Sequence, residues 1–352
     1  MAEYSLRDEM KILLFVIGLV LLFGCIGEEK TEEPRETGPR IIFRSAMDAP
    51  MGDPDFQENP QKYFELYVMN ADGSDIQRIT NNVYWEVQPD VSPDGQKILL
   101  SIHYSPGRVK ETDSGWEIAV MDIDGKNLRR LTDNDYLDFG AHWNHDSTKI
   151  VYVSDSAQRN AEGVENNVLP QYDIYTMNAD GSNVKQLTFA NPGDVNADPS
   201  FSFTEPSRIL YIHSEGLSSH FDMYMMDEDG ENKELIFEHN NELLKINDPM
   251  FSPDGNRILF EAKVRDIDED NPIYNLFTVD TSGGDLRRIT EDDGESDVLP
   301  QYSPDGSTMA YYTYVWENGG NTHRIRVADA DGSNERIVST YPWEADPSWI
   351  PK

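Results

Sequence analysis

Carboxylates are the side chains this sequence offers most often for chemistry. Acidic residues recur at intervals of about fifty positions, a spacing typical of structural repeats: Glu86, Asp138, Asp194 with Asp198, Asp248, Asp297, and Glu344 with Asp346. Gathered around one axis, such a set would concentrate cations or a basic partner, because a cleft lined by one sign of charge focuses its field. Left on separate strands, the same residues cap backbone groups, which aspartate does readily. A second acidic run, Asp266-Ile267-Asp268-Glu269-Asp270, begins as an EF-hand loop does, with Asp266, Asp268 and Asp270 at ligand positions. Asn271 stands where that loop requires glycine and Phe277 where it requires glutamate, so the match is poor. Calcium or manganese is the one cofactor such carboxylates would suit, and no other is expected.

Other chemistries have less to draw on. The chain has no Gly-x-Ser-x-Gly elbow, His-Glu-x-x-His pair, Walker loop or dinucleotide fingerprint, which removes the motif-bearing hydrolases, zincins and nucleotide enzymes. Seven histidines are scattered, and converging on one metal ion would require them to come from separate segments. Aromatic residues are more suggestive. Trp85, Trp116, Trp316 and Trp343, with Tyr341, fall near loops, where rings stack on a sugar or anchor a protein contact. The formal net charge of −36, from 65 acidic against 29 basic residues, repels nucleic acid and anionic lipid.

The single cysteine, Cys25, excludes an intramolecular disulfide and any cysteine-based zinc site. It follows an apolar run, Ile12 to Gly24, preceded by Lys11; that run is too short to span a bilayer but suits a signal-peptide core. Leu22-Phe23-Gly24-Cys25 resembles a prokaryotic lipobox, which implies that Cys25 is the lipid-attachment residue. The expected organisation is a signal peptide at 1–24, a lipidated cysteine with a disordered acidic tether at 25–39, and a folded domain at 40–352. Glu3, Asp8 and Glu9 occupy the usual positive n-region, so Met10 competes with Met1 as the start. The protein is expected on the outer face of a bacterial or archaeal membrane, held there by lipid alone.

Positioning these residues requires a repeat. Glu65-Leu66-Tyr67-Val68-Met69-Asn70-Ala71-Asp72-Gly73 recurs as Glu117–Gly125, Asp173–Gly181 and Asp222–Gly230, with weaker copies at Gly283 and Gly332. Each copy leads to a strand closed by Ile79-Thr80, Leu131-Thr132, Leu187-Thr188 or Ile289-Thr290. A loop and another strand follow, ending in Ser92-Pro93-Asp94-Gly95, Ser252-Pro253-Asp254-Gly255 or Ser303-Pro304-Asp305-Gly306. That tetrapeptide is a tight-turn signal, since proline presets φ, aspartate bonds nearby backbone and glycine takes the left-handed region. Four antiparallel strands, A to D, result per repeat, and stacking such units around an axis buries both sheet faces.

These turns, the Tyr-x-Met-Asn/Asp-x-Asp-Gly strand end and the Leu/Ile-Thr closure resemble the WD40-like repeats of the TolB propeller over residues 40–352. The resemblance implies an all-β, six-bladed propeller of four-stranded antiparallel blades. Its first blade would take strand A from Asp346-Pro347-Ser348-Trp349-Ile350 and strand B from Arg40–Ser45. TolB's separate N-terminal α/β domain has no counterpart, so TolB's partners do not transfer wholesale. The long B–C loops would share one face, the usual place for binding on a rigid scaffold. Glu86, Asp138, Asp198, Asp248, Asp297, Glu344 and Asp346 would ring the channel mouth there. We expect a monomeric, non-enzymatic scaffold that binds a protein, peptide or glycan on that face. The alternative is a metal-dependent lyase, because oligogalacturonate lyases are TolB-like propellers holding manganese with histidine and glutamine; His142, His145, His213, Gln88, Gln171 and Gln301 are the residues to weigh. If the ends meet as described, truncation before Asp346 gives aggregated or protease-sensitive protein. A truncated form melting like the full chain contradicts the latch.

Overall fold

The computed structural model describes residues 38–352 apart from 50–62, 83, 104–114, 157–170, 217, 219, 241–242, 244, 269–270, 292–293, 318–319 and 342. The signal peptide, Cys25, the tether up to residue 37, Asp270 and the side chains of Asp268 and Trp316 lie outside the described residues. Among these residues, the strands form six four-stranded antiparallel sheets arranged as a six-bladed propeller. Strand A is Trp85–Val91, Asp138–Trp143, Val195–Phe201, Ile246–Phe251 and Glu295–Tyr302 in blades two to six. In blade one it is Ala345–Ile350, which pairs with Arg40–Ser45 so that Ile41 faces Trp349 and Ile42 faces Ser348. The closure expected from the sequence is present. Each A strand touches the A strands of both neighbouring blades, and the sixth touches the first.

Strands B and C are apolar on both faces because a neighbouring blade covers each side. In blade two, Ile98, Leu99, Leu100 and Ile102 are all fully buried. One inter-blade cluster joins Ile42, Leu66 and Val68 of blade one to Val91, Ile98, Leu100 and Ala119 of blade two. The outer D strands are short and charged, as in Gln77–Arg78, Arg129–Arg130 and Arg287–Arg288, which discourages pairing with another chain. Their basic heads also tie blades together. Lys185 donates to the Asp229 carbonyl of the next blade at 2.8 Å, and Arg336 donates to the Ala71 carbonyl at 3.1 Å.

The repeated motifs now have physical reasons. The closing threonines Thr80, Thr132, Thr188 and Thr290 accept the N–H groups of Leu66, Ile118, Ile174 and Leu276 at 2.8 to 3.0 Å. Thr132 and Thr188 also donate to Glu117 and Asp173 at 2.6 and 2.7 Å. In the Ser-Pro-Asp-Gly turn, the Ser92 hydroxyl donates to Asp94 at 2.6 Å and accepts the Lys97 N–H at 2.9 Å. Blade three substitutes for it: Asn144 accepts the N–H groups of Thr148 and Lys149, both at 2.9 Å, and Ser147 takes the left-handed φ of 61°. The A–B and C–D turns share one face, and the chain enters strand B at Arg40 and leaves strand A at Ile350 on that same face.

Gly125 in the C–D turn of blade two is fixed twice over. Its φ is 79°, and a Cβ there would fall 2.2 Å from the Ile79 carbonyl oxygen of blade one. Gly125→Ala should therefore cost about 2–4 kcal/mol in urea unfolding, combining left-handed strain with overpacking. An unchanged unfolding midpoint would contradict this account of the turn.

Candidate functional site

Every A strand carries one extra residue at its middle, where the ladder to strand B shifts register. The left-handed residues at these bulges are Gln88, Gly140, Asp198, Asp248, Leu299 and Asp346, with φ between 47° and 60°. Proline follows in five of the six, as Pro89, Pro199, Pro249, Pro300 and Pro347. A bulge is a position in a sheet where a missing N–H does little harm. The sequence carries this signal as a proline shortly before the A–B turn in five of the six blades, and the reading by carboxylate spacing passes over it.

A non-glycine residue in the left-handed region costs about 1–2 kcal/mol, so the bulges need support. A relay between blades provides it. Asp346 of blade one accepts the Gln88 N–H of blade two at 3.0 Å, and the Gln88 side chain accepts the Gly140 N–H of blade three at 3.3 Å. Asp198 of blade four accepts the Asp248 N–H of blade five at 3.2 Å. Glu261, from strand B of blade five, accepts the Leu299 N–H of blade six at 2.7 Å.

The bulges form the floor of an axial cavity of about 310 Å³ that reaches the face bearing the tight turns. Its collar is apolar, with Trp143, Phe201, Phe203, Tyr302, Trp349 and a ring of prolines. Phe203 stands at the rim, 39% exposed. Polar groups enter at the floor through Asp90, His142, Asp198, Asp248, Gln301 and Asp346. The cavity thus lies at the opposite end of the axis from the B–C ends of the strands, the face where the sequence reading places the working surface.

The seven carboxylates expected at the channel mouth separate into two sets. Asp198, Asp248 and Asp346 line the cavity. Glu86, Asp138, Asp297 and Glu344 sit two residues before their bulges and are buried between blades, each at most 4% exposed. Asn82 donates to Glu86 at 2.6 Å, Asn134 to Asp138 at 2.7 Å, Thr313 to Asp297 at 2.7 Å, and Ser339 to Glu344. Asp194, by contrast, accepts the Gly216 N–H at 2.7 Å and is held low by that bond.

Burial governs the electrostatics. It pushes Glu86 and Glu344 up to about 7 and Asp297 to about 6, against the pull of their hydrogen bonds. On the cavity floor, burial raises Asp248 well above the carboxylate range, and the charges of Asp198, Glu261 and Asp346 raise it further. Burial alone would lower His142, but the Asp90 carboxylate 3.6 Å away outweighs it and the net shift is upward. Asp346 is paired with Arg44 at 2.8 Å.

The remaining sequence candidates disperse. Trp85 is buried against His103, with ring centroids 5.1 Å apart, and Trp116 closes the same cluster. Trp343 stays partly exposed on the long-loop face, 5.1 Å from His323 and with a left-handed φ of 58°. Of the histidines and glutamines weighed as manganese ligands, His142, Gln88 and Gln301 line the cavity. His145 meets Glu205 at 3.2 Å, His213 meets Asn196 at 2.9 Å, and Gln171 donates to the Ala190 carbonyl at 2.8 Å. Asp266 pairs with Lys263 at 2.8 Å. Among the described residues, no three His, Cys, Asp or Glu side chains converge closely enough to hold a metal ion.

No protein-family model matches the chain. An uncharacterized protein of Agrobacterium fabrum is 29% identical over 136 residues, which is 38% of this chain and 42% of that one. The chain spans less than half the length of the curated relatives it matches. TolB from Acinetobacter baumannii is similar in structure with a TM-score of 0.63 at 18% identity, covering 89% of this chain and 67% of that chain. A putative TolB from Agrobacterium tumefaciens gives 0.57 at 16% identity, covering 86% and 89%. Oligogalacturonate lyase from Vibrio parahaemolyticus gives 0.50 at 14% identity, covering 79% and 71%. At these identities the likeness is one of fold, a TolB-like six-bladed propeller.

A pH dependence follows from the raised carboxylates. A carboxyl group whose folded-state pKa exceeds its unfolded value near 4.5 stabilises the fold most below that value and loses the contribution as pH rises through the folded pKa. The melting temperature should therefore be higher at pH 5.5 than at pH 8. The Glu86→Gln, Glu344→Gln double variant should shrink that difference, separating these two groups from general charge repulsion. A variant with the wild-type pH slope would refute the assignment.

Proposed function

Taking the TolB-like propeller fold as premise, we propose that this chain is a non-enzymatic binding module, lipid-anchored through Cys25 to the outer face of a prokaryotic membrane, and that its ligand enters the axial cavity. The observation that carries this reading is the cavity itself. Ligand sites are concave, mostly apolar and furnished with a few convergent polar groups, and the proline and aromatic collar over a carboxylate floor has that composition. The exposed rim residue Phe203 offers an apolar contact to a protein or peptide partner.

The lyase alternative draws on the fold shared with an oligogalacturonate lyase. Its chemistry would need several metal ligands around one point, and His142 is the one histidine among the cavity-lining residues. Among the described residues the cavity lining does not fit a manganese centre of that kind, and no catalytic step is assigned.

Immobilised protein incubated with membrane extract should retain a partner that Phe203→Asp releases and that Trp343→Ala, on the long-loop face, still holds. Retention that depends on Trp343 and ignores Phe203 would move the ligand to the other end of the axis. Oligogalacturonate supplied with manganese should give no unsaturated-uronate absorbance above the blank; turnover abolished by His142→Ala would establish the enzyme instead.

A further inference from the structure

Junctions between blades set the first residue of one strand C against the start of the next strand A, and these pairs differ in chemistry. Asp173 of blade three meets Asn196 of blade four, whose amide donates to it at 3.1 Å. An acid there finds its donor across the junction. Asn275 and Asp297 hold the same two places between blades five and six, again an amide with an acid. Between blades one and two the places belong to Glu65 and Glu86, two acids that are 5% and 0% exposed.

Donors to this pair run short. Glu65 Oε1 accepts from Arg78 at 2.5 Å and from the Asn82 N–H at 3.2 Å, and Glu86 Oε1 accepts from the Asn82 side chain at 2.6 Å. Asn82 therefore bridges the two acids. Among the described residues neither Oε2 atom, both of them buried, has a partner in good geometry. The Thr80 hydroxyl pulls both carboxyls down, but it carries one proton and serves one acid at a time. One junction further on, the equivalent Thr132 donates to Glu117, Asn134 donates to both Glu117 and Asp138, and no buried oxygen of that pair is left over. The charge facing Glu65 and Glu86 is the Arg78 guanidinium, which also meets Asp48 at 3.4 Å, with Tyr67 bonded to Asp48 beyond it. Strand B of blade two sets the uncharged Ile102 opposite Glu86. Burial raises both acids, Glu86 to about 7.

We infer that Glu65 and Glu86 share one proton across the junction of blades one and two, the O–H of one carboxyl donating to the free oxygen of the other, and that the pair is a pH-sensitive fastening of the ring. Protonated, it reproduces the donor and acceptor of the Asn196 and Asp173 pair. Deprotonated, it sets two charges in a dry junction against one guanidinium that Asp48 also draws on, and like charges so placed push the two strands apart. Blade one is the blade closed by the chain ends, and Gln88, two residues beyond Glu86, is capped by Asp346 and lines the cavity. The proton thus fastens the joint between the seal and the cavity floor.

The test follows urea and thermal unfolding of the full chain between about pH 5 and about pH 9, with Glu86→Gln, Glu65→Gln and, as a control, Glu117→Gln. A proton held by the folded state and released on unfolding makes stability fall as pH rises from the ordinary carboxyl value of 4.5 through the folded one of about 7, by about tenfold in the folded-to-unfolded ratio per pH unit, and level off above. Either glutamine supplies the missing donor. Glu86→Gln and Glu65→Gln should therefore both lose that part of the slope and unfold later than the wild type at about pH 9, while Glu117→Gln keeps it. Infrared difference spectra at about pH 6 should show one protonated carboxyl in the wild type that both variants lack, a readout independent of stability. A slope lost in Glu86→Gln and kept in Glu65→Gln would overturn the sharing and leave Glu86 as a lone buried acid. The wild-type slope in both variants would overturn the proton in favour of a water bridging two charged acids. A melting temperature that drops when choline replaces sodium in the buffer would overturn it in favour of a bound metal cation.

Discussion

The antiparallel pairing of Ile41 with Trp349 and Ile42 with Ser348 is the contact on which the rest depends. Without it, blade one would present the bare edge of strand B to solvent, and the apolar faces of blades one and six would each lose a cover. It joins segments some three hundred residues apart, so the ring is complete only when the last strand has docked. It also places Asp346 against Arg44 and within reach of the Gln88 N–H, so the floor of the cavity is assembled in the same event that seals the sheet.

Polar groups buried between blades show how the fold treats its excess of acid. Glu86, Asp138, Asp297 and Glu344 share one register, each tied to an amide or hydroxyl that fixes where strand A begins. Their raised pKa values mark the cost of desolvating them. Turn carboxylates such as Asp72 and Asp124 are held low by their hydrogen bonds and stay at the surface. One residue type thus serves two opposite electrostatic roles, and burial decides which.

Architecture was more legible in the sequence than the site. Turn tetrapeptides, the Leu/Ile-Thr closure and the Asp-x-Asp-Gly strand end are local signals, and each acts through contacts within a few residues or with the next blade. The bulges were also written in the chain, as a proline four residues before the turn proline in Pro89 and Pro93, Pro249 and Pro253, and Pro300 and Pro304. Carboxylate spacing could not separate Glu86 from Asp198, because both recur once per blade while a shift of two residues along strand A decides burial or cavity. Asp90 and Glu261 reach strand A of the next blade from different strands, and no sequence interval connects them.

The relay through the bulges runs in one direction around the ring and is interrupted twice. Gly140 and Leu299 have no side-chain acceptor to offer, so the junctions from blade three to four and from blade six to one lack this support. Those two junctions lie diametrically opposite. Other contacts take over at those two seams: Lys185 and Arg336 bridge them at the rim, and the Trp349 ring N–H donates to the Gln301 carbonyl at 3.1 Å near the axis.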